Sequence, residues 1–295
     1  MNVVKLLVVF FLWALCFPLI ELGQADVPPL LFATLRALLA GVVLLAIAGA
    51  LNRPWPTTAR AWVYIALIGL GATSLGFWGM FEAARWVSPG LATVVANIQP
   101  LVAAGLAAVF LKETLSVKTL LGLAGGFVGI LLIALPSIGT NGAEGPAVGF
   151  GFLAISMLGI SISNVVIKHA VTTIDPLVMM GLQLVFGAIP LALASPIIDA
   201  GRTVDFTGAF GFSLFLLALP GTALAYWLWT DVLRRTELSR ANAFSFLVPV
   251  IGLVLGWTFY NETLSSMTLL GAVVVVGGLA IANWPFPEER HASSK

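Results

Sequence analysis

The chain predicts an all-α, polytopic membrane protein of ten transmembrane helices, arranged as two inverted five-helix repeats. Three observations lead there. Of 295 residues, 60% are hydrophobic and 9% charged, with a mean hydropathy of +1.06, whereas soluble domains carry roughly 25% charged residues. Apolar runs of about 20 residues recur, each long enough to cross a ~30 Å hydrocarbon core as a helix. Finally, Pro100 to Gly122 recurs without a gap as Pro249 to Gly271, at a constant offset of 149 residues, about half the chain. The runs do not alternate apolar and polar residues as barrel strands do, which argues against a transmembrane β-barrel.

Span 1 (3–22) carries Lys5 near its start and then an apolar stretch, with no small-x-small cleavage site after it, so it reads as a retained helix rather than a signal peptide. Pro28-Pro29 opens span 2 (28–51), and Arg53-Pro54-Trp55-Pro56 closes it. Span 3 (61–81) precedes Ser88-Pro89-Gly90, which opens span 4 (89–111). A tight turn at Glu113 leads into span 5 (117–136). Gly139-Thr140-Asn141-Gly142 separates it from span 6 (147–167), and Asp175-Pro176 starts span 7 (176–195). Gly201 marks the turn to span 8 (209–231); spans 9 (240–260) and 10 (265–284) complete the chain. Connections are short, so no extramembrane domain is expected. The repeats divide as 1–138 and 139–295.

Charge sets the orientation. With the N-terminus in the cytoplasm, Lys5, Arg53, Arg60, Lys112, Lys118, Lys168, Arg234, Arg235, Arg240, Arg290 and Lys295 all fall inside. Only Arg85 and Arg202 fall outside, and Arg36 lies within a span. The positive-inside rule therefore places both termini in the cytoplasm. Five spans per repeat is odd, so the halves are inverted relative to one another. Such repeats are a transporter architecture, with two oppositely facing gates around one central site.

Two five-helix halves, each with Pro, a Glu-Thr-Leu turn and a glycine-containing last helix, resemble the drug/metabolite transporter superfamily in its EamA-type ten-helix branch. The matching residues are Pro100, Glu113, Thr114, Gly122 and Gly129, with Pro249, Glu262, Thr263, Gly271 and Gly278. Within it, the chain resembles the YddG-like aromatic amino-acid exporters. The resemblance implies a secondary transporter in a bacterial inner membrane, working by alternating access. Helices 5 and 10 would brace the halves around a cavity formed by helices 1–4 and 6–9.

Arg36 is the one full charge well inside a span, about eight residues or ~12 Å deep. An ionised group there costs at least ~2.5 kcal/mol and needs a partner or a cavity. It reads either as the receptor of a substrate carboxylate or as a structural arginine paired with carbonyls or Glu21. No carboxylate sits at mid-span, so weakly coupled or facilitated transport is expected rather than obligate proton antiport. Glu113 and Glu262 read as structural, each near the N-terminus of the following helix.

Thr73, Asn97, Gln99, Asn164, Gln183, Asn242 and Ser245 are polar side chains within spans that should avoid lipid. Trp13, Phe17, Phe77, Trp78, Tyr226, Trp227 and Phe244 add aromatic faces. Thr73, Phe77 and Trp78 align with Thr222, Tyr226 and Trp227, and Arg36 aligns opposite Gln183. Each residue alone can be packing; together they read as a cavity for a zwitterion with an apolar side chain.

The expected function is export of small amphipathic metabolites, amino acids including aromatic ones foremost. Drug or quaternary-cation and nucleoside exporters are the alternatives within the class, and a channel or scaffold the rival outside it. Net charge is +1, and no nucleic-acid partner follows. The lone Cys16 reads as a buried, inert thiol. Two histidines, His169 and His291, form no ligand pattern, so no metal, cofactor or enzymatic activity is expected. Besides the small-molecule substrate and the lipid bilayer, no partner is implied; the protein is expected as a monomer, with a homodimer through helix 5 glycines as the alternative.

Overall fold

The computed structural model describes residues 3–83, 86, 97–135, 146–260 and 265–283. Within these, ten helical stretches follow one another. They are α1 (Val3–Gln24), α2 (Pro29–Ala50), α3 (Ala59–Ala83), α4 (Gln99–Phe110), α5 (Val117–Ala134), α6 (Pro146–Ala170), α7 (Pro176–Ile198), α8 (Gly208–Arg235), α9 (238–260) and α10 (Ser266–Asn283). No strand occurs among the described residues. Seven stretches are long and apolar enough to cross a membrane; α4, α5 and α10 are shorter apolar helices. Residues 89–96, where span 4 was expected to begin, lie outside the described residues. Elsewhere helices run past the apolar runs, as α8 does to Arg235.

Helix starts are set by side-chain caps. Thr58 accepts from Ala61 N, Ser116 from Thr119 N, Asp175 from Leu177 N and Val178 N, Thr207 from Phe210 N, and Ser265 from Thr268 N. Each satisfies backbone donors that a helix start leaves open. Glu113 does something its sequence position did not suggest. Rather than serving α5, its carboxylate accepts from Leu238 N, Ser239 N and Ser239 Oγ at 2.6, 3.0 and 2.7 Å. It caps α9, in the other half, because Ser116 already holds the cap position of α5. Glu262 lies outside the described residues.

Two helices depart from α geometry at matching places. α3 widens into a π-helix over Gly69–Leu75 and α8 over Leu219–Leu224. Ser74 Oγ donates to Gly69 O at 3.3 Å and Thr222 Oγ1 to Leu217 O at 2.8 Å, so each segment holds a carbonyl five residues back. π segments are uncommon and concentrate at functional sites.

Packing repeats with the halves exchanged. α3 packs on α6 as α8 does on α1, and α4 packs on α6 as α9 does on α1. α2 crosses α7, and α5 pairs closely with α10. In the α5–α10 pair, the Cβ position of Gly122 lies 2.7 Å from Gly278 O, and that of Gly129 lies 2.7 Å from Gly271 O. Only glycine allows this approach of backbones. These glycines therefore join the two halves of one chain. Pro100, Pro249 and Gly271 are buried in this framework.

Candidate substrate site

Arg36 sits on α2, seven residues from its start, ~10 Å along the axis, and is 5% exposed. Its Nε donates to Thr222 Oγ1 at 2.8 Å and its Nη2 to Cys16 Sγ at 3.5 Å. Its guanidinium lies 4.7 Å from the centre of the Phe77 ring, a cation–π contact. Among the described residues no carboxylate lies within 4.0 Å of it; the ion pairs given there are Lys5–Asp231 and Arg53–Asp175. Glu21, considered above as its partner, is exposed at the end of α1. Arg36 is thus a buried cation satisfied by dipoles and a ring face, with no counter-charge at salt-bridge distance, a costly arrangement unless an anion visits.

The position related to Arg36 in the other half is Gln183 on α7, and its contact is the counterpart of the first. Thr73 Oγ1, in the π segment of α3, donates to Gln183 Oε1 at 2.8 Å. Each half's second helix therefore grips the π segment of the other half through a threonine. One grip is charged and the other neutral.

Beside Arg36 runs an aromatic group. Trp13 meets Tyr226 at 6.1 Å and 88°, and Trp229 at 5.7 Å and 55°. Phe10 meets both Trp13 and Trp229 edge-on. Asn164 accepts from Trp229 Nε1 at 3.1 Å. Phe10 and Trp229 were missed in the sequence. Tyr226 lies three residues before Trp229, so the two share a helix face, and that spacing was the signal available.

The remaining nominated residues divide. Gln99 Nε2 donates to Asn242 Oδ1 at 3.4 Å, and Ser245 Oγ to Asn242 O at 2.8 Å. These join α4 to α9 near the buried Asn97 and Phe244, apart from the Arg36 group. Trp78 stacks edge-on against Phe152. Trp227 is 39% exposed, because a residue adjacent to inward-facing Tyr226 is turned about 100° away on a helix. The side chain of Phe17 lies outside the described residues.

A cavity of about 860 Å3 opens elsewhere, at the face where α1 begins. Trp55, Arg60, Tyr64, Glu113, Lys168 and His169 contribute to its wall. Of the nominated residues Glu113 borders it; Trp13, Phe77 and Tyr226 instead pack with Arg36 or with one another. Lys168 Nζ donates to Leu233 O and Thr236 O at 2.6 and 2.7 Å, closing the end of α8. Arg60 Nε donates to Tyr64 Oη at 2.6 Å. At the opposite face Phe32, Phe81 and Phe210 pack together, with centroids 5.9 and 5.1 Å apart. There Asp199 Oδ2 accepts from Leu30 N and Leu31 N at 3.2 Å each.

A helical bundle of this composition, with its polar groups turned inward, is a multi-pass membrane protein. The chain belongs to the EamA-like transporter family, whose profile matches residues 2–135 and 147–284, and so to the drug/metabolite transporter superfamily. Family membership places it among transporters rather than enzymes. The chain is 32% identical over 299 residues to a "Probable amino-acid metabolite efflux pump" of Salmonella typhimurium, covering 97% of this chain and 96% of that protein. It is 30% identical to a protein of the same name in Escherichia coli, at 95% and 93% coverage. With the chloroplastic WAT1-related protein At3g02690 of Arabidopsis thaliana it shares 27% identity, at 94% and 68% coverage. A solved structure, described only as the crystal structure of a protein, shares the fold with a TM-score of 0.79 at 21% identity, covering 95% of each chain.

Proposed function

We propose that this protein exports small carboxylate-bearing metabolites, amino acids including aromatic ones foremost, across a bacterial inner membrane. Transport proceeds by alternating access between two inverted halves, 1–138 and 139–295, with both termini in the cytoplasm. The observation carrying this reading is Arg36, a buried cation with no carboxylate at salt-bridge distance among the described residues. A substrate carboxylate would supply the missing charge in a fork-to-fork pair. Phe77, Tyr226 and Trp13 offer apolar and ring faces to the substrate's side chain. The same cation repels organic cations, which sets the drug-cation alternative behind the carboxylate. The relatives named as amino-acid metabolite efflux pumps support the same class.

The test is counterflow in proteoliposomes preloaded with one unlabelled amino acid per sample, following labelled phenylalanine or tryptophan. Expected is transient accumulation driven by several apolar and aromatic amino acids and competed by their free carboxylates but not by their amides. Arg36→Ala is expected to abolish it. Wild-type counterflow by a folded Arg36→Ala protein, or competition by the amides as strong as by the acids, would overturn the reading.

A further inference from the structure

The two grips on the π segments differ in chemistry and in place. α2 begins at the face bearing the phenylalanine cluster, so Arg36 lies ~10 Å from that end of its helix. α7 begins at the face bearing the cavity, so Gln183 lies ~10 Å from the other end. The charged grip therefore belongs to the phenylalanine side and the neutral grip to the cavity side. Phe32 stands four residues before Arg36, on the same face of α2. It packs on Phe81 of α3 and on Phe210 of α8, the helix that also carries Thr222. Two residues one turn apart on α2 thus reach α8 at two separate places: Phe32 makes a ring contact at Phe210, and Arg36 a hydrogen bond at Thr222, about three turns further along α8.

We propose that Thr222 is the positioning residue of a carboxylate-keyed latch. A substrate carboxylate arriving at Arg36 takes the guanidinium from Thr222 and so releases the π segment of α8 and the Phe32–Phe81–Phe210 closure. The proposal rests on the reading of Arg36 as the carboxylate receptor. Its physical basis is competition for one donor. A single hydroxyl oxygen offers Arg36 Nε one neutral acceptor, whereas a carboxylate offers two charged ones and bonds about twice as strongly. A ligand shifts a conformational equilibrium only by its differential affinity for the two states. Here the difference is explicit, because Arg36 Nε is held by Thr222 in the latched state and available to the carboxylate in the other. The Gln183–Thr73 grip has no charge for the substrate to capture. Substrate bound at Arg36 thereby loosens the phenylalanine side, whereas opening of the cavity side, which alternating access also requires, does not depend on the carboxylate.

The experiment places a thiol reporter behind the closure. Ser213 is fully buried on α8, and its hydroxyl donates to Leu19 O. In Ser213→Cys, labelling by a charged maleimide measures opening of the phenylalanine side, and the parent protein with Cys16 alone sets the zero. With Thr222 intact, labelling is expected to be slow and to accelerate about tenfold on adding L-phenylalanine, the factor for one hydrogen bond to a charged group. Thr222→Val, nearly isosteric, is expected to label fast without substrate and to lower the half-saturating phenylalanine concentration in counterflow about tenfold. Thr222→Ser restores the hydroxyl and is expected to return both readouts to the original values. Arg36→Gln, which copies the neutral grip, is expected to label slowly with or without phenylalanine, and it keeps the test available if Thr222→Val does not fold. A Thr222→Val protein that labels slowly and still responds to phenylalanine overturns the latch and leaves the Arg36 reading standing. So does an Arg36→Gln protein that responds as the parent does, provided Arg36→Ala abolishes counterflow. Counterflow unaffected by Arg36→Ala removes both.

Discussion

Replacing Glu113 with alanine tests whether the glutamate that marks this family is a strut or a transport group. Its carboxylate takes three hydrogen bonds, at 2.6, 3.0 and 2.7 Å, from the first residues of α9. Two come from backbone N–H groups at a helix start, where loss of a cap costs about 0.5–2 kcal/mol. The negative charge adds about 0.3–1 kcal/mol against the helix dipole. Glu113 is half-buried, so water recovers part of the loss, and a total near 2 kcal/mol is expected for Glu113→Ala, by combining these contributions. Glu113→Gln keeps one carbonyl acceptor and is expected to lose about half of that. For a chain of this size, 2 kcal/mol corresponds to a fall of roughly 4–8 °C in melting temperature, measured by intrinsic tryptophan fluorescence in detergent. Ser239→Ala on top of Glu113→Ala should cost little more, because the two share one contact. Transport per folded molecule should survive. A melting temperature unchanged by Glu113→Ala, together with lost counterflow, would refute the capping role and make Glu113 a coupling carboxylate.

The glycine contact between α5 and α10 gives a paired test. Gly129→Leu places its Cβ 2.6 Å from Val275 Cγ2 and 2.7 Å from Gly271 O, and overpacking of about 1–3 kcal/mol or more is expected to remove most monodisperse protein on size exclusion. Gly105→Ala, whose Cβ meets nothing within 4 Å, is expected to elute and melt like the parent. Asp231→Asn breaks the half-exposed pair with Lys5 and is expected to cost less than about 1 kcal/mol with counterflow unchanged. Lost counterflow in a folded Asp231→Asn protein would instead mark a carboxylate that takes part in transport.

What the residues alone revealed, and what they did not, follows from the range of each interaction. Spans and caps are local: apolar length fixes the first, and Ser116 or Asp175 before a helix fixes the second. The repeat at offset 149 exposed the glycine pairs on helices 5 and 10, but not that Gly122 meets Gly278 and Gly129 meets Gly271 across the halves. The capping target of Glu113 is 125 residues away, and the nearer helix start was the natural but mistaken choice. The π segments left little composition signal beyond Gly, Ser and Thr and, in α8, Pro220; their width is also stabilised by partners such as Gly187 O, which accepts from Ser74 Oγ at 2.7 Å. Trp227 was nominated because it follows Tyr226 in an aligned pair. Alignment preserves position in the chain, and the helical turn of one residue then decides which ring faces inward.

Arg36 and Gln183 show how a duplicated architecture becomes asymmetric. The contacts that brace the halves are reciprocal, Gly122 to Gly278 and Gly129 to Gly271, so they carry no preference for either face. The grips on the two π segments span the same 2.8 Å between a second-helix side chain and a buried threonine, but run in opposite directions: Arg36 donates to Thr222, whereas Thr73 donates to Gln183. A second arginine at position 183 would add another buried cation, and the repulsion and desolvation of two such charges would weigh on the fold. Glutamine keeps the hydrogen bond and its packing while removing the charge. A single substitution between otherwise equivalent positions leaves one grip responsive to a carboxylate and the other indifferent, so the symmetry that permits two gates need not make them answer the substrate alike.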